Sequence, residues 1–341
     1  MATQSGKFTL SRFRQEQKAI LPVPNQPLDG LTILITGANT GVGFEAARHA
    51  VRLNAAHVII GVRTVSKGEA AKAEILKAYP DKPASISIYA IDYCSLASVK
   101  AFADKVNQDA PKIHIAILNA GINSLDWNMT GDGWESVLQV NVLSTTYLGL
   151  MLLPKLRESY NKSFSLMPAL VVVSSDTQYT AKFPQKKAAA DGGRTPILKA
   201  MNDQSKSAGM DKYFTSKLFE VWIVRQLAKW VDRNMQGEVI INCVNPGLCH
   251  SELNREKGFV GYTFELVKKV FARTAEVGSR NYWWAATAGR ESHGQYVGSC
   301  EVQRPAILVT SEEGQKLEPK IYREVGEVLS EFDPTVQPYF S

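Results

Sequence analysis

The stretch Thr36-Gly37-Ala38-Asn39-Thr40-Gly41-Val42-Gly43 constrains this chain more than any other. A β-branched apolar run over 31–35 enters it, and Phe44, Ala47, Ala50 and Val51 leave it at helical spacing, so it reads as strand, tight turn, helix. Glycine lets a backbone turn sharply and pass close to another group, and the N–H groups and dipole at a helix start favour a phosphate there. Ordinary tight turns use glycine for the same steric reason. A second strand-like run over 57–60 places this cluster in a strand–helix–strand unit, the setting in which a dinucleotide pyrophosphate is cradled.

The rest of the chain repeats that rhythm. Strand-like runs at 32–35, 58–60, 86–91, 113–118, 170–173 and 239–244 alternate with helical stretches, which calls for an α/β fold, a doubly wound parallel sheet with helices on both faces. With 341 residues, 45% of them hydrophobic, the chain can fill one large domain with extensions. No internal repeat, low-complexity tract or second-domain linker interrupts it. Residues 1–27 form a polar N-terminal arm ending in Pro22, Pro24 and Pro27, whose restriction of their neighbours predicts an extended segment rather than a helix.

Of the 12 tyrosines, Tyr213 alone has a lysine four residues on, Lys217. On a helix that spacing puts both side chains on one face, about 5–6 Å apart at Cβ, where an ammonium can stabilise a phenolate. A phenol with a pKa near 10 is a poor acid-base group at neutral pH unless something lowers it, and the lysine is the group placed to do so. An isolated Tyr-x-x-x-Lys is weak evidence. Here it follows the glycine turn, Asn119-Ala120-Gly121, Asn141 and Ser174-Ser175, and precedes Asn245-Pro246-Gly247.

In order and approximate spacing these motifs resemble the short-chain dehydrogenase/reductase family, within it the retinol-dehydrogenase-like and fungal reductases, over about residues 30–330. The resemblance implies a Rossmann-type catalytic domain at 28–300, followed by a C-terminal extension at 301–341. It implies that Asn141, Ser175, Tyr213 and Lys217 form a catalytic tetrad. Ser175 would hydrogen-bond the substrate oxygen, with Ser174 as the fallback, and Tyr213 would exchange a proton with it. Lys217 would hold the ribose hydroxyls and lower the tyrosine pKa. Asn141 would fix a helix kink and a water for proton relay.

The same resemblance assigns the cofactor site to Gly37, Asn39, Thr40, Gly41, Val42, Gly43, Arg63, Asp92, Asn119, Ala120, Gly121, Tyr213, Lys217, Pro246, Gly247 and Ser251. A carboxylate near the end of the second strand would bind the ribose of NAD, whereas an arginine accommodates a 2′-phosphate. Val62 stands at the acidic position and Arg63 follows, with Lys67 nearby, so NADP(H) is expected. Asp92 would contact adenine through its side chain or adjacent backbone. Ser251 would reach the carboxamide.

Ser175 and Tyr213 are 38 residues apart, far more than in minimal members of the family, and the excess at 176–212 is expected to be either functional or disordered. It lies where it could border the active-site mouth and cover a helix surface that relatives use for dimerisation, which leaves monomer and homodimer both open. Residues 248–290 would vary with substrate. Phe264, Val267, Val270 and Phe271 would form an apolar stripe, with Trp283 and Trp284 adding bulk: a packed helix, or a lid over a lipophilic substrate.

The net charge of +6 is dispersed, with no block longer than Lys186-Lys187 or Lys268-Lys269, which argues for a solvated surface and against nucleic-acid binding. Cys94, Cys243, Cys249 and Cys300 lack metal-ligand spacing, so neither a metal site nor a disulfide framework is expected. No apolar run approaches the roughly 20 residues of a membrane span. A cytoplasmic location fits. The expected activity is an NADP(H)-dependent oxidoreductase interconverting a ketone or aldehyde with an alcohol on a lipophilic small molecule, with secondary metabolites in view. An epimerase or dehydratase of the extended branch and a non-catalytic nucleotide sensor are the alternatives. The G-x-x-x-G-x-G spacing of Gly37, Gly41 and Gly43 argues against the first, and the retained tetrad against the second.

Overall fold

The computed structural model describes residues 6–161, 166–187, 196–207, 209–250 and 269–341. Its strands are Thr32–Thr36 (β1), His57–Val62 (β2), Ser85–Ala90 (β3), Ile115–Leu118 (β4), Ala169–Val173 (β5), Ile240–Asn245 (β6), Tyr296–Gly298 (β7) and Glu301–Gln303 (β8). They form one sheet in the order β3-β2-β1-β4-β5-β6-β7-β8, parallel throughout except for the antiparallel β7–β8 pair. The order reverses direction between β1 and β4. In a Rossmann-type sheet the crevice beyond the carboxyl ends at that point is the binding site.

The strands are apolar on both faces because both are covered. In β1, Leu34 belongs to one core while Ile33 and Ile35 belong to the other, as the two-residue alternation of a strand requires. Helices Gly41–Arg52 (α2) and Val65–Ala78 (α3) cover one face. Leu96–Asp109 (α4), Thr145–Glu158 (α5) and Asp211–Asn234 (α6) cover the other. Ala275–Thr287 (α7) joins α2, and its Trp283 indole donates to the Ala46 carbonyl at 3.2 Å. Trp283, 1% exposed, is thus a core residue and no part of a lid.

Three further expectations are corrected. The N-terminal arm is not extended throughout: Leu10–Lys18 is a helix (α1), begun by Thr9, whose hydroxyl accepts from Arg12 N, and braced by the Arg12–Glu16 ion pair one turn apart. The prolines act only on the extended stretch that follows. The described parts of 176–212 are packed, with Phe183, Ile197, Leu198 and Met201 buried in the core that includes Phe219 and Trp222 of α6. Finally, Ser136–Glu158 is long and apolar enough to cross a membrane, with mean hydropathy 1.4, yet 94% of its most apolar window is buried inside the protein. It is a core helix.

The C-terminal extension closes the outer layer. Helix Glu312–Phe332 (α8) starts at Ser311, whose hydroxyl accepts from Gly314 N, with Glu312 and Glu313 favourably placed at the positive end of its dipole. Leu317, Ile321, Val325 and Leu329 recur at four-residue spacing and are buried, each contributing about 1.5–3 kcal/mol of transfer free energy. Glu318 receives Arg225, Gln226 and Lys229 of α6. Beyond α8, Asp333 accepts from the Tyr147 hydroxyl of α5 at 2.6 Å. The extension therefore covers the outer faces of α5 and α6.

Candidate active site

The motif residues outside the helices lie at or just beyond the carboxyl ends of strands. Gly37 follows β1, Arg63 β2, Asn119 β4, Ser174 and Ser175 β5, and Pro246 and Gly247 β6. Ser251 falls outside the described residues, as do Phe264 and Val267 of the apolar stripe. Of that stripe's remainder, Val270 is exposed, while Phe271 packs edge-on against Phe13 of α1 at 5.9 Å.

The glycine turn is shaped by conformation and by close approach. Gly37 and Gly41 have φ of +67° and +63°, where a side chain is strained. At Gly43 a Cβ would come within 2.5 Å of Asn119 Nδ2 and 2.8 Å of Gly37 O. Asn119 holds the turn: its Nδ2 donates to Thr36 O at 2.8 Å and Gly37 O at 3.2 Å, while its Oδ1 accepts from the Tyr282 hydroxyl of α7 at 2.9 Å. Ala120 N donates to Thr36 Oγ1. Helix α2 begins at Thr40 without a side-chain cap, so its first N–H groups are not satisfied by a capping side chain. An exposed Arg63 stands at the end of β2. Asp92 is committed locally, its Oδ1 accepting from Cys94 N at 2.9 Å. A cradle that a Cβ would fill, an uncapped helix start and a cation at the β2 end fit a phosphorylated dinucleotide.

On the other side of the crevice, Asn141 lies in a π-helical segment, Gln139–Ser144, the kind of local widening that tends to mark functional sites. Its Oδ1 accepts from Ile122 N at 2.9 Å, and its Nδ2 donates to Ile122 O and Ser216 Oγ, both at 3.0 Å. A Cβ on Gly121 would lie 3.2 Å from Asn141 Oδ1 and 3.6 Å from Lys217 Nζ, so this glycine joins the two halves of the site. Ser174 is buried and donates to Lys217 O at 3.0 Å, a structural tie. Ser175, by contrast, donates to Asp176 Oδ1 at 3.3 Å and lies close enough to the Tyr213 phenol to pull its pKa down.

Lys217 and Tyr213 meet on one face of α6, where Lys217 has further partners. Lys217 Nζ lies 5.8 Å from the Tyr213 ring centre and donates to Glu220 Oε1 at 2.7 Å and Val173 O at 2.9 Å. Burial first, then the Glu220 charge, push the Tyr213 phenol well above its ordinary value; the Ser175 hydroxyl opposes them. Glu220 itself is 3% exposed and is pushed up to about 7 by burial, against the pull of Lys217. The sequence reading missed Glu220, although a glutamate three residues beyond a helical lysine is a readable signal.

Helix α1 was missed as well, and it packs against the segment that follows β6. Gln17 Nε2 donates to Leu248 O and Phe271 O, and its Oε1 accepts from Leu248 N, next to the Pro246-Gly247 turn. Arg12 sits 4.3 Å over the Tyr179 ring and donates to its hydroxyl. Arg273 donates to Glu16 O. Beneath them Asp176, beside Ser175, is pushed up to about 6 by burial and by Glu16.

The short chain dehydrogenase family model matches residues 31–177. A short chain dehydrogenase/reductase of Cryptosporiopsis sp. (strain 8999) is 40% identical over 324 residues, covering 94% of this chain and 97% of that one. The chain belongs to the short-chain dehydrogenase/reductase family. A second member, from Phaeosphaeria nodorum, is 38% identical over 98% of this chain and 97% of its own. Among solved structures, an Escherichia coli CFT073 short chain dehydrogenase complexed with NADPH superposes with TM-score 0.57 at 23% identity, covering 81% of this chain and 99% of that one. A Pseudomonas aeruginosa active-site complex with NADP gives 0.58 at 21% identity, covering 80% and 95%. Membership makes the chain an oxidoreductase that works with a nicotinamide cofactor.

Proposed function

We propose that the chain is an NADP(H)-dependent reductase of a ketone or aldehyde carried on a lipophilic small molecule, a secondary metabolite being the class in view. The observation that carries the reading is the meeting of Ser175, Tyr213 and Lys217 at the end of β5, across Gly121 from the glycine cradle. Gly37, Asn39, Thr40, Gly41, Val42 and Gly43 would hold the pyrophosphate, and Arg63 the 2′-phosphate. Asn119, Ala120, Gly121, Pro246, Gly247 and Ser251 would line the nicotinamide side, and Asp92 the adenine side. When bound, NADPH supplies the hydride that the carbonyl carbon accepts. Ser175 holds the carbonyl oxygen, and Tyr213 gives it the proton, so that an alcohol leaves and the phenolate regains a proton from solvent. Asn141 keeps Ile122 and the catalytic helix in register.

The NADP preference is supported by Arg63 following Val62 at the end of β2 and by the NADPH- and NADP-bound structural neighbours. Fluorescence titration of NADPH and NADH with the wild type and Arg63→Asp tests it. The wild type should favour NADPH, and the variant should lose about 10–100-fold of its NADPH affinity, as one or two lost charge-assisted phosphate contacts imply. Equal affinities for both cofactors in the wild type would contradict it.

A further inference from the structure

We propose that Gln17 of α1 is a positioning residue: it fixes the turn after β6, Pro246-Gly247-Leu248, and so holds a nicotinamide lined by that turn in register with the carbonyl on Ser175 and Tyr213. The proposal rests on the reading of this turn as the nicotinamide side of the site. Gln17 Nε2 donates to Leu248 O at 2.9 Å and to Phe271 O at 2.8 Å, and its Oε1 accepts from Leu248 N at 3.1 Å. Both donors of the amide are thereby spent. Leu248 is gripped at its N–H and its C=O together, as a neighbouring strand would grip it. The same side chain spans two lengths of chain that pair with each other, through Arg273 N to Leu248 O at 2.8 Å and His250 N to Arg273 O at 3.0 Å. Its neighbours on the helix, Gln15 and Lys18, are exposed, whereas Gln17 is turned inward and half-buried.

Close approach makes the grip specific. Gly247 has φ of +78°, and a Cβ there would stand 2.6 Å from Gln17 Oε1 and 3.2 Å from Arg273 Nη1, so the glycine answers to these two side chains as well as to its own conformation. Arg273 is buried and donates to the carbonyl of Glu16, the residue before Gln17, which ties the same turn of α1 to the same part of the chain. Arg12, one turn earlier, donates to the Tyr179 hydroxyl at 2.7 Å, four residues beyond Ser175. Helix α1 therefore braces the segments that follow both β5 and β6. Reacting atoms must come within about 3–3.5 Å of each other, and a misplacement of about 1 Å can cost about 100-fold in rate. The phosphate end of the cofactor would lie instead on the glycine cradle and Arg63, to which Gln17 makes no hydrogen bond. Loosening Gln17 should slow hydride transfer and leave the phosphate end bound as before.

The test compares full-length wild type, Gln17→Ala and Gln17→Glu in two measurements. One is the single-turnover rate of hydride transfer from NADPH to a ketone that the wild type accepts. The other is the inhibition constant, against NADPH, of adenosine 2′,5′-bisphosphate, which carries the phosphate end of NADP and no nicotinamide. Gln17→Ala should slow hydride transfer about tenfold and leave the inhibition constant within twofold of the wild type. Gln17→Glu keeps the length of the side chain and the acceptor for Leu248 N but loses both donors; it should show the same split, and it decides the matter should the alanine variant not fold. An unchanged transfer rate in a folded variant overturns the proposal. So does a parallel loss of transfer rate and fragment affinity, which is what a general loosening of the fold would give. A wild type that neither binds the fragment nor oxidises NADPH with any ketone or aldehyde would instead sink the reading of the site, and this proposal with it.

Discussion

Along one row of strand ends the molecule uses two kinds of polar group. At β1 and β4 the crevice is made of main-chain amides, glycines and the neutral Asn119, whose hydrogen bonds all go to fixed partners. At β5 and the start of α6 it is made of ionisable side chains, the buried Tyr213, Lys217 and Glu220 and the partly buried Asp176. Oriented backbone dipoles bind a phosphate with little dependence on pH, whereas proton transfer needs a group whose charge can be adjusted. The first half is rigid by steric fit, and the second is tuned by opposing charges.

The contrast breaks most sharply at Tyr213. Tyr213→Phe should lower kcat by about a thousandfold, within the roughly 10²–10⁴ that general acid catalysis contributes, while leaving NADPH affinity within about threefold in a fluorescence titration. Loss of binding with turnover retained would reverse the assignment of the two halves. Gly43→Val should do the opposite. Its side chain would clash with Asn119 Nδ2 and Gly37 O, so cofactor affinity should fall by about 10–100-fold, corresponding to the 1–3 kcal/mol typical of overpacking.

The same contrast explains what could be seen in the sequence. The glycine half was legible because its backbone demands leave a mark in residue type: Gly37 and Gly41 sit at positive φ, and six strand runs fall within a few residues of β1 to β6. Strands β7 and β8 were not foreseen, since three residues carry no periodicity. The shared helix face of Tyr213 and Lys217 was legible by spacing, but the electrostatics around it were not. Lys217 and Tyr213 share a helix face as expected, and one further turn of the same helix brings Glu220, whose charge adds to the burial that raises the Tyr213 phenol. The packing of α1 against the segment after β6 was hidden because prolines at 22–27 say nothing of a helix ending at Lys18.

A second pairing sharpens the difference through pH. Asp333, which accepts from Tyr147, Thr335 and Lys100 far from the crevice, is held down to about 2. Its folded-state value lies below the ordinary 3.8, so the stability it contributes is present above pH 3.8 and is lost as pH falls through 2. Asp333→Asn should therefore cost about 1.5–3 kcal/mol in urea unfolding at pH 7, as for hydrogen bonds to a charged group, and much less at pH 2. Glu220 and Asp176 run the other way. Their folded values of about 7 and about 6 lie above the ordinary 4.5 and 3.8, so the stability linked to them is present in acid and lost as pH rises through 6 to 7. Relative to wild type, the melting temperature of Glu220→Gln should rise by about 2 °C between pH 5 and pH 8, the smallest of these effects. A gap that does not change with pH would remove Glu220 from the tuned half.

Transfer of isotope from NADPH deuterated at its donated position to an accepted ketone, followed by mass spectrometry of the product, tests the central claim most directly. Wild-type protein should deliver a single deuterium to the former carbonyl carbon for each cofactor oxidised, and Tyr213→Phe almost none in the same time. Product formed without net cofactor oxidation, or cofactor bound with no transfer to any carbonyl, would contradict it.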